Sequence, residues 1–147
     1  MAKDFFTHTE QDQIVASIKA AEKNTSGEVQ VHIESNCKED PMERAKKVFL
    51  SIGMHKTKMK NGVLFYLAVN DRKFAILGDE GIDHAVPPTF WDQIKEEMRE
   101  KFKQGHLCEG LCQGILRAGE QLKAHFPYLS DDLNELSDDI SFGSSDH

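Results

Sequence analysis

The sequence predicts an α/β fold, a sandwich of helices around a small mixed sheet with a central hairpin. Three observations predict it. Gly62 to Val69 (Gly-Val-Leu-Phe-Tyr-Leu-Ala-Val) carries no charge, so a strand there would be buried on both faces. Asn70-Asp71-Arg72 supplies turn chemistry, which lets Lys73 to Leu77 return antiparallel as a hairpin partner. Helical periodicity flanks the hairpin on both sides, the order of elements that gives α/β layers.

In chain order, Thr9 with Asp12 makes an approximate capping box for a first helix. Ile14, Val15, Ile18 and Ala21 form its apolar stripe, and Asn24-Thr25-Ser26-Gly27 ends it. Glu28 to Glu34 then alternates, with Val29, Val31 and Ile33 on one face and Gln30, His32 and Glu34 on the other. The pattern predicts a strand with one wet face, placed at an edge of the sheet and open to another strand or to the tail. Asp40-Pro41 with Glu43 is a strong helix start, and Met42, Ala45, Val48, Phe49 and Ile52 give that helix its stripe before Gly53 closes it. A basic loop, His55 to Lys60, leads into the hairpin. Beyond Pro87-Pro88, Thr89 and Asp92 cap a helix in which Trp91 is a packing anchor with Ile94, Met98 and Phe102. A last helix spans about His106 to His125. Gly110 and Gly114 inside it each cost about 1 kcal/mol against alanine, which a close backbone contact would offset.

The chain has 147 residues and a formal charge of -7. All 18 Lys and Arg precede Tyr128, and six of the 25 acidic residues lie beyond it, so the acidity belongs to the tail. Residues 1–128 are expected to form one domain and 129–147 an acidic C-terminal tail able to dock on its own domain or on a partner. With no basic face, nucleic acid is not an expected partner. No apolar run approaches the roughly 18–20 residues of a membrane span, and no signal segment is visible. Three cysteines argue against a disulfide framework. A cytoplasmic monomer is the expectation.

Several pieces, in order, resemble the TPM domain, the family of the thylakoid-lumen phosphatase-like proteins and many bacterial membrane-associated proteins. They are Thr25 to Val31, Ala45 to Gly53, Asn61-Gly62-Val63-Leu64, Asp71 to Ile76, Gly78 to Ile82, Phe102 to Gly105 and Gly110 to Ile115. The resemblance implies a Rossmann-like three-layer α/β/α sandwich with a divalent-cation site, often calcium, in a surface cleft. Some members are reported as acid phosphatases, and others act in assembly or maintenance of membrane protein complexes. Where the family often has Asp before Asn-Gly, this chain has Lys60, one carboxylate fewer for a site there.

The acidic loop after the hairpin is the leading candidate site. Asp79, Glu80 and Asp83 are hard oxygen donors within five positions, and antiparallel pairing would bring Asn61 to their side. Such donors suit calcium or magnesium. The competing reading is an ordinary acidic cap, with Asp79 starting a helical turn through Ala85. For phosphatase chemistry, Lys58, Lys60 or His55 could hold a phosphate beside that cation. No Cys-x5-Arg, Asp-x-Asp or two-metal His/Asp pattern supports it. Cys108 and Cys112 lack a second ligand pair at zinc spacing and read as core, and Cys37 with His32 lacks an oxyanion site. The favoured expectation is a non-catalytic cation-binding interaction domain, with a protein partner met through the acidic tail or the strand edge. A metal-dependent acid phosphatase is the alternative.

Overall fold

The structure is a computed structural model that describes residues 4–128 and 140–143. Five α-helices and a four-stranded mixed sheet are present among these residues: α1 (His8–Glu22), β1 (Glu28–Glu34), α2 (Pro41–Ser51), β2 (Gly62–Ala68), β3 (Lys73–Gly78), α3 (Glu80–Ala85), α4 (Phe90–Lys103), α5 (Leu107–His125) and β4 (Ser141–Phe142). The strand order is β3-β2-β1-β4. β1 runs parallel to both β2 and β4, whereas β2 and β3 form the expected antiparallel hairpin.

Local chemistry explains most boundaries. Asp40 accepts from the amides of Met42 and Glu43 at 3.0 and 3.2 Å, with Pro41 as the first helical residue of α2. Helix α1 starts two residues before the expected point. Thr7 and Glu10 form a reciprocal capping box with distances of 3.1 and 3.0 Å, a stricter match to the Thr-x-x-Glu motif than Thr9 with Asp12. Thr89 sits at the start of α4 but makes no side-chain cap.

Alternate residues of the same strands feed two apolar clusters. Val29, Val31, Ile33, Val63, Phe65, Leu67 and Ile76 pack with α1, α4 and α5 through Ile14, Ile18, Ile94, Met98, Leu111, Ile115 and Leu122. Leu64, Tyr66, Ala68 and Ala75 pack with Ala45, Val48 and Phe49 of α2 and with Met54. Period-two strand geometry puts these sets on opposite faces.

The expected edge position of β1 is corrected. It is flanked by β2 and β4, and all seven of its residues are buried, including Gln30, His32 and Glu34. Alternation reports that two faces differ in polarity, not that the polar one meets water. Here Arg44 of α2 and Tyr66 of β2 meet Glu34, Ser141 meets His32, and β4, from the predicted tail, covers the outer edge; the rest of the tail lies outside the described residues. The hairpin is less central than expected, since β3 ends the strand order.

Helix α5 comes close to its neighbours at its glycines. A Cβ on Gly110 would lie 2.9 Å from Lys101 Cβ. On Gly114 it would lie 2.7 Å from Met98 Sδ, and on Gly119 2.6 Å from the Cα of Ala21 in α1. The thioether of Met98 can move aside, but the backbone of α1 cannot. In urea unfolding, Gly119→Ala should therefore lose about 1–3 kcal/mol to overpacking despite better helix propensity. Gly114→Ala should stay within about 1 kcal/mol of the parent, because the propensity gain offsets the repacking of Met98. Equal effects at the two sites would contradict this packing.

Candidate functional site

The hairpin brings two distant loops together. Val63 pairs with Gly78, and one step further the amide of Asp79 donates to the carbonyl of Gly62 at 2.9 Å. The amide of Ile82 then donates to the carbonyl of Lys60 at 3.2 Å. Gly81 lies against the carbonyl oxygens of Met59 and Lys60 so closely that a Cβ would overlap them. Lys60 itself has a φ of 53°, a left-handed turn that non-glycine residues seldom adopt.

The side chains on this frame diverge. Asp79 caps α3 by accepting from the amide of Glu80 at 2.8 Å. Its other oxygen, Oδ2, is buried and has no hydrogen-bond partner. Glu80 is exposed, and the Asp83 carboxylate accepts from the Trp91 indole at 3.0 Å. Asn61 is fully buried, and its amide nitrogen faces Ser26 Oγ at 3.2 Å, toward the α1–β1 connection. Among the described residues no three His, Cys, Asp or Glu side chains form a group able to hold a metal.

Of the three residues named for phosphate, Lys60 donates its ammonium to the carbonyl of His55, and Lys58 is exposed. His55 Nδ1 and Thr57 Oγ1 are buried without hydrogen-bond partners. With Asp79 Oδ2, they make three unsatisfied atoms on the two loops that the hairpin joins. Buried polar atoms are normally bonded, so such a set asks for water, an ion or a ligand.

A second polar cluster escaped the sequence reading. Glu34, 1 % exposed at its side chain, receives Arg44 Nη2 at 2.6 Å and Arg44 Nε at 3.0 Å. It also receives the Tyr66 hydroxyl at 3.1 Å and contacts His32 Nε2 at 3.0 Å. His32 Nδ1 meets Ser141 Oγ at 2.8 Å. Burial pushes the His32 pKa down, overriding the opposing pull of Glu34. For Glu34, burial alone would raise the pKa, but hydrogen bonds from Arg44 and His32 and the charge of Arg44 bring it below the usual value. A neutral ring satisfies both contacts as one tautomer, with Nε2–H donating to Glu34 and Nδ1 accepting from Ser141. The only local hint was a polar strand face; Arg44 lies in the next helix and Ser141 in the tail.

Two of the thiols, Cys108 and Cys37, are not set up as nucleophiles. Burial, then the neighbouring Cys112, pushes Cys108 up to about 12, so it stays a thiol at neutral pH. Cys37 Sγ donates to the carbonyl of Glu39 at 3.2 Å, and His32 is held by Glu34 and Ser141. At the turn end of the hairpin, a groove of about 850 Å³ is lined by Arg72, Lys73, Phe74, Arg99, Phe102 and Lys103 among others. It contains none of the predicted site residues.

The His32–Glu34 cluster makes stability depend on pH with a fixed sign. His32 has a folded pKa below its unfolded value of about 6.5, so the unfolded chain takes up that proton first and stability is lost as pH falls below 6.5. Glu34 has a folded pKa below about 4.5, so its contribution is present above 4.5 and lost as pH falls through the folded value. Urea unfolding from about pH 7.5 to about pH 5 should show stability declining below the histidine's unfolded value, with a flatter profile in His32→Gln. Arg44→Met should move acid unfolding to higher pH, and an unchanged acid midpoint would contradict the pairing.

The chain was compared with known proteins. The family model described as the TPM domain matches residues 2–121. No curated protein matches the sequence. Among solved structures, the BA42 protein of the psychrophilic bacterium Bizionia argentinensis, determined by NMR, is 45% identical with a TM-score of 0.87. That match covers 95% of this chain and 96% of BA42. The N-terminal domain of cg2496 from Corynebacterium glutamicum has a TM-score of 0.66 at 14% identity, covering 90% of this chain and 82% of that one. An N-terminal domain from P. gingivalis has the same TM-score at 18% identity, with coverages of 84% and 82%. These last two share the fold alone. With residues 2–121 of its 147 inside the family model, the protein belongs to the TPM domain family.

Proposed function

We propose that this chain is a non-catalytic, divalent-cation-binding interaction domain of TPM type, with calcium or magnesium bound at the acidic loop. The observation that carries the reading is Asp79 Oδ2, a carboxylate oxygen buried without a partner beside the joined loops. Desolvating such an oxygen is costly unless a cation or donor meets it. Asp79 would be the anchoring ligand. Glu80 and Asp83 in the first turn of α3 offer further hard oxygens, and Asn61 contributes chiefly by fixing the neighbouring loop through Ser26. Calcium also accepts main-chain carbonyls and waters, so it needs no tight carboxylate cluster.

The fold reads as a Rossmann-like three-layer sandwich, supported by helices on both faces of the sheet and by the parallel β1–β2 pair. Residues 1–128 form the domain and 129–147 the tail in this reading. Three free thiols favour a reducing compartment, the cytoplasm. Among the described residues no helix is long and apolar enough to cross a membrane. A metal-dependent acid phosphatase would use the same loop with Lys58, Lys60 and His55. The Lys60 ammonium is already engaged by the His55 carbonyl, which favours the binding module.

Calcium and magnesium titrations followed by backbone amide shifts test the proposal. Shifts should centre on residues 54–62 and 78–84, and thermal stability should rise by about 2.7 kcal/mol at a hundredfold excess over Kd. Asp79→Asn should abolish both responses while leaving the metal-free protein intact, since Asn caps a helix as well as Asp. No shift at millimolar cation would overturn the cation site. Cation-dependent turnover of an aryl phosphate, lost in Asp79→Asn, would replace the binding module with the enzyme.

A further inference from the structure

The groove at the turn end of the β2–β3 hairpin combines two chemistries. Its apolar part includes three phenyl rings that the fold leaves partly open to solvent, Phe5, Phe74 and Phe102. Phe74 and Phe102 meet edge to face at 5.0 Å, so this surface is already formed. Four cations, Arg72, Lys73, Arg99 and Lys103, also line the groove, and among the described residues no Asp or Glu does. In a chain of net charge -7, that local excess of positive charge is the exception.

Two of these cations are not engaged by the fold. Elsewhere on α4 and α5, Lys101 pairs with Glu109 and Arg117 with Glu97. In the groove, Arg99 lies 5.8 Å from the Phe74 ring centre and pairs with exposed Glu96, and the Lys73 ammonium donates to the Cys37 carbonyl at 2.9 Å. Arg72 and Lys103 are exposed, and among the described residues their side chains have neither an ion pair nor a hydrogen bond. Arg72 also has a φ of 55°, where the turn by itself asks for glycine or asparagine, so a guanidinium there is no requirement of the fold. The volume of about 850 Å³ falls within the range of small-molecule sites, roughly 300–1,000 Å³. We propose that this groove binds a small amphipathic anion, a free acyl or aryl carboxylate, with its apolar body on Phe74 and Phe102 and its headgroup met by Arg72 and Lys103. Burial of the body supplies affinity, and the cations select the sign of the headgroup. The site is separate from the acidic loop and stands or falls independently of the divalent cation.

The test titrates the full chain, without added metal, with octanoate and follows backbone amide shifts. Shifts should centre on residues 67–74 and 99–107. Octanol, with the same chain and no charge, and octylammonium, with the opposite charge, should each bind at least about threefold more weakly. Arg72→Gly suits the left-handed backbone, so combined with Lys103→Gln it removes two cations and leaves the fold stable. This double variant should bind octanoate at least about threefold more weakly and octanol as the parent does, a split that a merely greasy surface would not give. Added salt should weaken octanoate binding and spare octanol. Equal affinity for the three probes, an unchanged double variant, shifts elsewhere or no shift at millimolar octanoate would overturn the proposal. Binding to phosphatidylglycerol vesicles without binding to octanoate would overturn it in favour of a membrane surface. Contacts from the chain's own acidic tail within the groove, with octanoate excluded, would overturn it in favour of an internal occupant.

Discussion

The carboxylate of Glu34 lies where water does not reach, and four parts of the chain converge on it. α2 contributes Arg44, β2 contributes Tyr66, β1 contributes His32 two residues upstream, and the C-terminal segment lays Gly143 across it. An ionised carboxylate in such a place is tolerated only when its oxygens are paired and bonded. The pairing ties α2 to β1 and gives β1 a reason to carry polar residues in the middle of a buried layer. Apolar packing of Ala45, Val48 and Phe49 on β2 and β3 seats α2, and Arg44 adds the link to Glu34.

The second organising feature is the β2–β3 hairpin, which works at the other end of the strands. Its main-chain ladder continues past the strand ends through Asp79 to Gly62 and Ile82 to Lys60, so the acidic cap and the basic loop are held by backbone rather than by side chains. On the two loops so joined, Asp79 Oδ2, His55 Nδ1 and Thr57 Oγ1 are buried without hydrogen-bond partners. Unsatisfied atoms on a rigid frame are a natural place for a ligand to gain affinity, because the frame has already lost its freedom.

Much of the fold was legible in the sequence. Uncharged Gly62 to Val69 gave a buried strand, Asp40-Pro41-Glu43 gave a helix start, and Gly110 and Gly114 announced close helix contacts. These are local signals with local physics. β1 was misplaced because His32 and Glu34 look the same whether their partners are water or Ser141, Arg44 and Tyr66, and those partners come from other elements of the fold. At the acidic loop, the cap at Asp79 and the nearness of Asn61 could be read from pairing. The direction of each side chain could not, since it depends on Ser26 and Trp91 across the fold. Docking of the tail on its own domain was among the expectations, but nothing in its composition singled out the contacts of Ser141 with His32 or of Gly143 with Glu34.

The most direct check on the central ion pair is a carbon-13 titration of the Glu34 side-chain carboxyl, with the His32 ring followed in the same samples. The account predicts that Glu34 titrates below about 4.5 and His32 below about 6.5, with the ring neutral and protonated on Nε2 at neutral pH. A Glu34 midpoint above 4.5, or a His32 ring that is charged at neutral pH, would contradict it.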